Sequence, residues 1–235
     1  MLELPDDKIT NFVMPVVRAE RKSDGSIDYK GLLGSCFLIR DTGGVALTAY
    51  HVAAGMEVGT AAVLFLDASA RWQAVFVKEV RKHPSQDVAV LVLEPDHRFP
   101  SPLALSREEH YASMPYMLWG YPEAVLHEVV VNDRAGERPD LVYDEGYVRR
   151  RISWDLPKIR GSRFFELSTV SGGGCSGAPV ISRRPVDAGQ EIWKVIGVYV
   201  GERRAGDIAV GYAVRIADID VDALGWSDLF GVKLV

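Results

Sequence analysis

The chain has 235 residues, enough for one large domain or two small ones with real cores. Hydrophobic residues make up 48% and charged residues 25%, the balance of an ordinary globular protein. A net charge of -5 argues against a general electrostatic grip on nucleic acid, which needs a basic face. The two cysteines, Cys36 and Cys175, stand in no CxxC spacing, which argues against both a stapled secreted fold and a zinc site.

The opening MLELPDDKITNFVMPVV has no basic stretch followed by a long apolar run. The expectation is therefore no secretory signal and no membrane span, and a reduced, intracellular protein. Helical periodicity is scarce, and short strand-like runs dominate. They fall at 12–20, 34–40, 44–49, 60–67, 72–83 and 88–94, then at 116–121, 127–133, 147–154, 163–168, 178–182, 191–201 and 208–216. Turn chemistry separates them: SDG at 23–25, DTGG at 41–44, AGER at 135–138 and PVDAGQ at 185–190. Many short strands at this spacing predict an all-β barrel or sandwich. A polar, proline-bearing stretch at 94–115 reads as a connector, with a short helical turn at SREEHY. The division this suggests is an N-terminal barrel over 1–108, a C-terminal barrel over 109–217, and a tail or helix over 218–235.

One segment raises a chemical question. SGGGCSGAPV at 171–180 sets two nucleophile types side by side, Cys175 and Ser176, after three glycines. Glycines let backbone N–H groups converge on a developing oxyanion, although a flexible hairpin has the same composition. A base is available in His51, placed at the end of the apolar strand LTAY; a partly buried histidine capping a turn would look the same. Asp87 heads the apolar run VAVLVLE, where partial desolvation would suit it to orienting a histidine, or merely to starting a strand. His51, Asp87 and Ser176 follow one another in the order His, Asp, Ser, with the first two in one half of the chain and the third in the other.

TAYHV, QDVAVL and GCSGAP in this order resemble the three signatures of the chymotrypsin/trypsin-like serine peptidases. WGYP at 119–122 and the late VIGVYVG and GYAVRI resemble that family's second barrel. The likeness spans roughly 10–217 and is nearest the disulfide-free bacterial branch, the HtrA-like and cytoplasmic trypsin-like peptidases. It implies two six-stranded antiparallel β-barrels with a cleft between them. It also implies Ser176 as nucleophile, His51 as general base and acid, and Asp87 as orienter, with the N–H groups of Gly174 and Ser176 as oxyanion hole. The pattern Gly-x-nucleophile-Gly selects Ser176 over Cys175, leaving Cys175 as a small buried residue. For the substrate it implies a pocket based near Val170, with Val198, Tyr199, Val200 and Gly201 offering backbone to an extended peptide and Gly211 and Tyr212 lining the far wall. Val170 suits a small or apolar side chain before the cut bond; Glu202 and Asp207 nearby would suit a basic one.

The expected function is thus an intracellular serine endopeptidase acting on a protein or peptide substrate. It would use no cofactor and no metal, and engage neither nucleic acid nor membrane. The alternative is a catalytically silent protease fold used for protein binding. The other histidines, His83, His97, His110 and His127, show no metal-binding spacing, and the basic clusters YVRRRISW and ISRRP read as solvated strand faces. The residue before the nucleophile is Cys175, where zymogen-activated relatives carry an aspartate that pairs with a cut N-terminus. The expectation is either a constitutively competent enzyme or regulation at the loop 171–175, by a protein partner or a fused domain.

Overall fold

The computed structural model describes residues 9–67, 71–94, 101–131, 134–183 and 193–225. Six strands come first: β1 (Val13–Arg21), β2 (Ile27–Leu38), β3 (Val45–Thr48), β4 (Ala61–Leu66), β5 (Trp72–Lys82) and β6 (Ala89–Leu93). They close into an antiparallel barrel in the order β1-β2-β3-β6-β5-β4. Closure leaves no unpaired edge. Between β3 and β6 a five-residue helix, α1 (Tyr50–Ala54), follows β3 almost directly.

The second half contributes β7 (Leu103–Leu105), β8 (Pro115–Gly120), a hairpin of β9 (His127–Val131) and β10 (Arg134–Arg138), β11 (Val142–Ile152), β12 (Phe164–Leu167), β13 (Pro179–Ser182), β14 (Trp193–Ala205) and β15 (Ile208–Arg215). The order β13-β8-β11-β12-β15-β14 is closed by β13–β14 pairing, and β7 adds in parallel at the start of β14. The all-β, two-barrel expectation holds. One apolar core runs through both barrels, joining Phe37, Leu47 and Leu91 to Phe164, Tyr212 and Val214. A second core, around Tyr116, Leu118, Val180 and Tyr199, fills the rest of the C-terminal barrel.

Some local expectations fail for identifiable reasons. AGER lies inside β10, where pairing of Gly136 with Val129 overrides its turn-like composition. SREEHY forms no helix. Its polar groups are used in other bonds: Glu108 N–H donates to Ser106 Oγ at 3.2 Å, and buried His110 shares hydrogen bonds with the Glu108 carbonyl and, across the fold, with Ser182 Oγ. β2 begins at Ile27, well before the predicted strand. After β15 the chain forms two single 3-10 turns, Ile216–Asp218 and Asp222–Leu224, and buries Ile219, Val221 and Leu224 against the main core. The PVDAGQ turn, His97 and the chain beyond 225 lie outside the described residues.

Candidate active site

The His51–Asp87 pair is built from local chain logic. The N-cap position of α1 is Ala49, which has no side-chain oxygen to cap the helix, so the first N–H groups need a partner from elsewhere. Asp87 provides it: the backbone N–H of His51 donates to Asp87 Oδ1 at 2.9 Å. The other carboxylate oxygen, Oδ2, lies 2.8 Å from His51 Nδ1. α1 buries Val52 and Ala53, while the His51 side chain stays 47% exposed. Asp87 is buried, at 4% side-chain exposure. Its turn is shaped by His83, whose Nδ1 accepts the N–H groups of Ser85 (3.2 Å) and Gln86 (3.0 Å). Nδ1 is thus unprotonated, and burial holds the His83 pKa below the usual histidine range.

The loop 171–177 is held by both barrels. Two of its peptide planes, 173–174 and 175–176, are hydrogen-bonded on the carbonyl side only among the described residues. The Gly173 carbonyl accepts Glu123 N–H at 2.8 Å, and the Cys175 carbonyl accepts Ala178 N–H at 2.9 Å. In a trans peptide the N–H points opposite to the carbonyl, so the N–H groups of Gly174 and Ser176 face the other way. Neither has an acceptor among the described residues. The intervening Cys175 N–H is satisfied by the Gly172 carbonyl at 3.4 Å, and that of Gly177 by Tyr199 at 2.7 Å. Gly174 has φ +85°, and a Cβ there would stand 2.4 Å from the Tyr121 carbonyl, so this position needs glycine.

Cys175 is unsuited to attack. It is 2% exposed, its thiol donates to the Ser171 carbonyl at 3.1 Å, and burial pushes its pKa up to about 12, so no useful thiolate exists near neutrality. Cys36 is likewise a buried free thiol raised by desolvation. Ser176 is partly exposed. Its carbonyl and the Val52 side chain, next to His51, converge on one point: a Cβ on Gly34 would lie 2.9 Å from the former and 2.6 Å from Val52 Cγ2. Among the described residues there is no hydrogen bond between the Ser176 hydroxyl and His51 Nε2. A nucleophile–base bond of this kind is often long before substrate binds.

The predicted substrate-binding residues divide into two groups. The backbones of Val198 and Tyr199 are used within the fold: Val198 pairs with Pro179, Tyr199 N–H donates to the Ala178 carbonyl, and its own carbonyl accepts Gly177 N–H. From Val200 through Gly201 to Glu202, β14 pairs with β15 alone among the described residues, so its other edge has no partner strand. Val200 itself is the bulge between Tyr199 and Gly201. The Tyr199 ring is fully buried, with its hydroxyl accepting Ser171 N–H at 3.2 Å. Gly211 lies opposite Glu202, and a Cβ there would meet the Thr169 carbonyl at 2.5 Å and the Tyr199 ring at 2.9 Å. Val170 is half-buried and Tyr212 buried. Glu202 holds Arg204 through Oε1 at 2.8 Å, while Asp207 sits in the exposed β14–β15 turn.

Sequence reasoning passed over Ser35, although it lies in the strand-like run 34–40. Its hydroxyl donates to the Gly174 carbonyl at 2.9 Å and accepts Tyr121 N–H at 3.0 Å, and its backbone N–H donates to the Ser176 carbonyl at 2.8 Å. Thr48 Oγ1 in turn donates to the Ser35 carbonyl at 2.7 Å. A fully buried serine inside an apolar strand was the available signal. Among the described residues no group of acidic, histidine and cysteine side chains is arranged to hold a metal, and no helix is long and apolar enough to cross a membrane.

Known proteins match this arrangement at two levels. Among solved structures, the chain resembles the apo MamO protease domain from Magnetospirillum magneticum at 12% identity and TM-score 0.61, over 88% of this chain and 93% of that one. It resembles the active form of the Rv3671c protease from M. tuberculosis at 18% identity and TM-score 0.56, over 99% and 90%. An HtrA-type protease, AlgW, bound to a tripeptide matches at 16% identity and TM-score 0.54, over 88% and 56%. At these identities the likeness shows the fold. A search of curated proteins finds no significant match. At the level of sequence, the Trypsin-like peptidase domain family matches residues 34–198, the stretch that contains His51, Asp87 and Ser176, and the chain belongs to that family.

Proposed function

We propose that this chain is a serine endopeptidase in which Ser176, His51 and Asp87 cleave a peptide bond through an acyl-enzyme. One observation carries the reading. A buried carboxylate holds the His51 ring at 2.8 Å, and the Ser176 loop, tied through Ser35 to the same barrel and brought against the residue next to His51, carries two N–H groups, on either side of Cys175, that have no acceptor among the described residues. With Nδ1 committed to Asp87, Nε2 is the nitrogen free to accept a proton. The Ser176 hydroxyl attacks the carbonyl carbon as its proton passes to Nε2. The former carbonyl oxygen takes the negative charge and is met by the N–H groups of Gly174 and Ser176. The imidazolium, stabilised by Asp87, then protonates the leaving amine, and water releases the acyl group by the reverse sequence. The unpartnered edge of β14 at Val200–Glu202 suits an extended peptide as an added strand.

The setting we infer is intracellular, with a protein or peptide substrate and regulation through the loop 171–175 by a partner protein or attached domain. Support for the last point is positional: Gly172 and Gly174 both take positive φ there, so small rotations redirect the hole's donors. The test is covalent labelling of the purified chain with a fluorophosphonate, beside Ser176→Ala and Cys175→Ala. Labelling lost only in Ser176→Ala is the expected result. A folded wild-type chain that stays unlabelled, alone and with candidate partners, would instead favour the silent binding module.

A further inference from the structure

The turn bearing Asp87 and the helix bearing His51 both meet a third element, the segment between β11 and β12 in the second barrel. This segment has a fixed form. Leu156 and Ile159 make an isolated bridge around a tight turn with Lys158 at φ +67°, and both apolar side chains pack on the main core. From there residues 160–162 run along the Asp87 turn. Ser162 N–H donates to Gln86 Oε1 at 3.2 Å, and the Arg160 guanidinium donates to the Pro84 carbonyl. Gly161 has φ +108°, and a Cβ there would lie 2.4 Å from Gln86 Oε1. The same Arg160 guanidinium lies 4.4 Å from the ring centroid of Tyr50. Gln86 is peptide-bonded to Asp87, and Tyr50 to His51.

We propose that Gln86 and Arg160 are positioning residues for the acid–base pair. Through them a loop of the second barrel sets the geometry of His51 and Asp87, which the first barrel carries. Neither residue touches the reacting atoms. Arg160 ties the first residue of α1 to the Asp87 turn, and Gln86 fixes that turn against the 160–162 backbone. The inference rests on reading His51 and Asp87 as the catalytic base and its orienter.

The test uses the full chain with Arg160→Ala, Arg160→Lys and Gln86→Leu, and three readouts: fluorophosphonate labelling rate, thermal midpoint, and the low-field proton resonance of the His51 Nδ1–H···Asp87 hydrogen bond. Arg160 is exposed, so its variants are expected to fold. Misplacing a catalytic group by about 1 Å from a distance can slow chemistry by about 100-fold, and a loss of up to about that size is expected for Arg160→Ala and Gln86→Leu, with a broadened low-field resonance. Lysine keeps a cation for the Tyr50 ring and a donor for Pro84, so Arg160→Lys should recover to within about threefold of wild type. A wild-type rate and resonance in both disruptive variants, whatever their melting temperature, would overturn the proposal. The resonance does not depend on Ser176 and can be recorded in a Ser176→Ala background. A chain that shows it yet is never labelled would count against the nucleophile assignment, while the resonance still decides the role of Gln86 and Arg160.

Discussion

His51 and Asp87 are joined twice, once through the His51 backbone N–H at 2.9 Å and once through its ring Nδ1 at 2.8 Å. The carboxylate therefore fixes the helix that carries His51 as well as the imidazole ring itself. Asp87→Asn should keep the helix contact through its amide oxygen but lose the correct imidazole tautomer, with labelling slowed by about 10⁴-fold. Asp87→Ala should lose the helix contact too and destabilise the chain by a further ~1 kcal/mol, as for a removed cap. Paired labelling and denaturant titrations separate the two effects; equal stability in both variants would contradict the capping role.

Both thiols should be inert in the folded chain. Cys36 is fully buried, and the Cys175 thiol, at a pKa of about 12, is committed to the Ser171 carbonyl. Native alkylation at pH 8 followed by intact mass measurement should show no adduct, and the unfolded chain should show two. Rapid native modification of Cys175 would reopen the choice of nucleophile.

Two glycines of the loop should fail differently when replaced by alanine. At Gly177, with φ +93°, the new Cβ would stand 1.9 Å from the Ser35 carbonyl and 2.4 Å from Thr48 Oγ1, all buried. Nothing there yields easily, so Gly177→Ala should cost about 3 kcal/mol or more. Gly174→Ala meets the Tyr121 carbonyl and moves the proposed oxyanion donor, so labelling should fall by about 10²–10³-fold. Thermal melts and labelling rates read these independently.

Ser35→Ala removes a donor to Gly174 and an acceptor for Tyr121 without adding bulk. Leaving two buried backbone groups unsatisfied costs about 1–3 kcal/mol each. A drop in stability of about 2–6 kcal/mol is expected, with slower labelling because the loop carbonyl at Gly174 is released. A neutral substitution would show that water or relaxation replaces both bonds.

His83 gives the stability a pH dependence of known sign. Burial lowers its folded pKa below the unfolded value, although nearby Asp220 pulls the other way. Between the two values the unfolded chain binds more protons, so stability rises with pH across that window. The contribution is complete above about pH 6.5, the unfolded histidine pKa, and is lost as pH falls toward the lower folded value. Denaturant titrations from pH 7.5 to 5 should show this slope, and His83→Gln should flatten it.

The two barrels and the three motifs were legible because each depends on local pattern. Alternating short apolar runs mark the strands, and QDVAVL and GCSGAP combine turn residues with a buried strand. What stayed hidden depends on residues far apart in sequence. Ser35 acquires its role only when β2 meets the loop 174–177, and Arg160 only when the β11–β12 segment reaches Tyr50 and Pro84. β10 was obscured because AGER carries turn composition and becomes a strand through its partner.

The chain segment after β15 turns back to the first barrel, where Arg81 donates to the Gly225 carbonyl at 3.0 Å and Leu224 enters the main core. Together with the Ser35 junction and the 160–162 contact, it fastens the halves at three separate places. A body pinned at three points has no single axis about which it opens like a book. Motion between the halves should then be confined to loops rather than swinging domains, and calorimetry should find one melting unit where the topology suggests two.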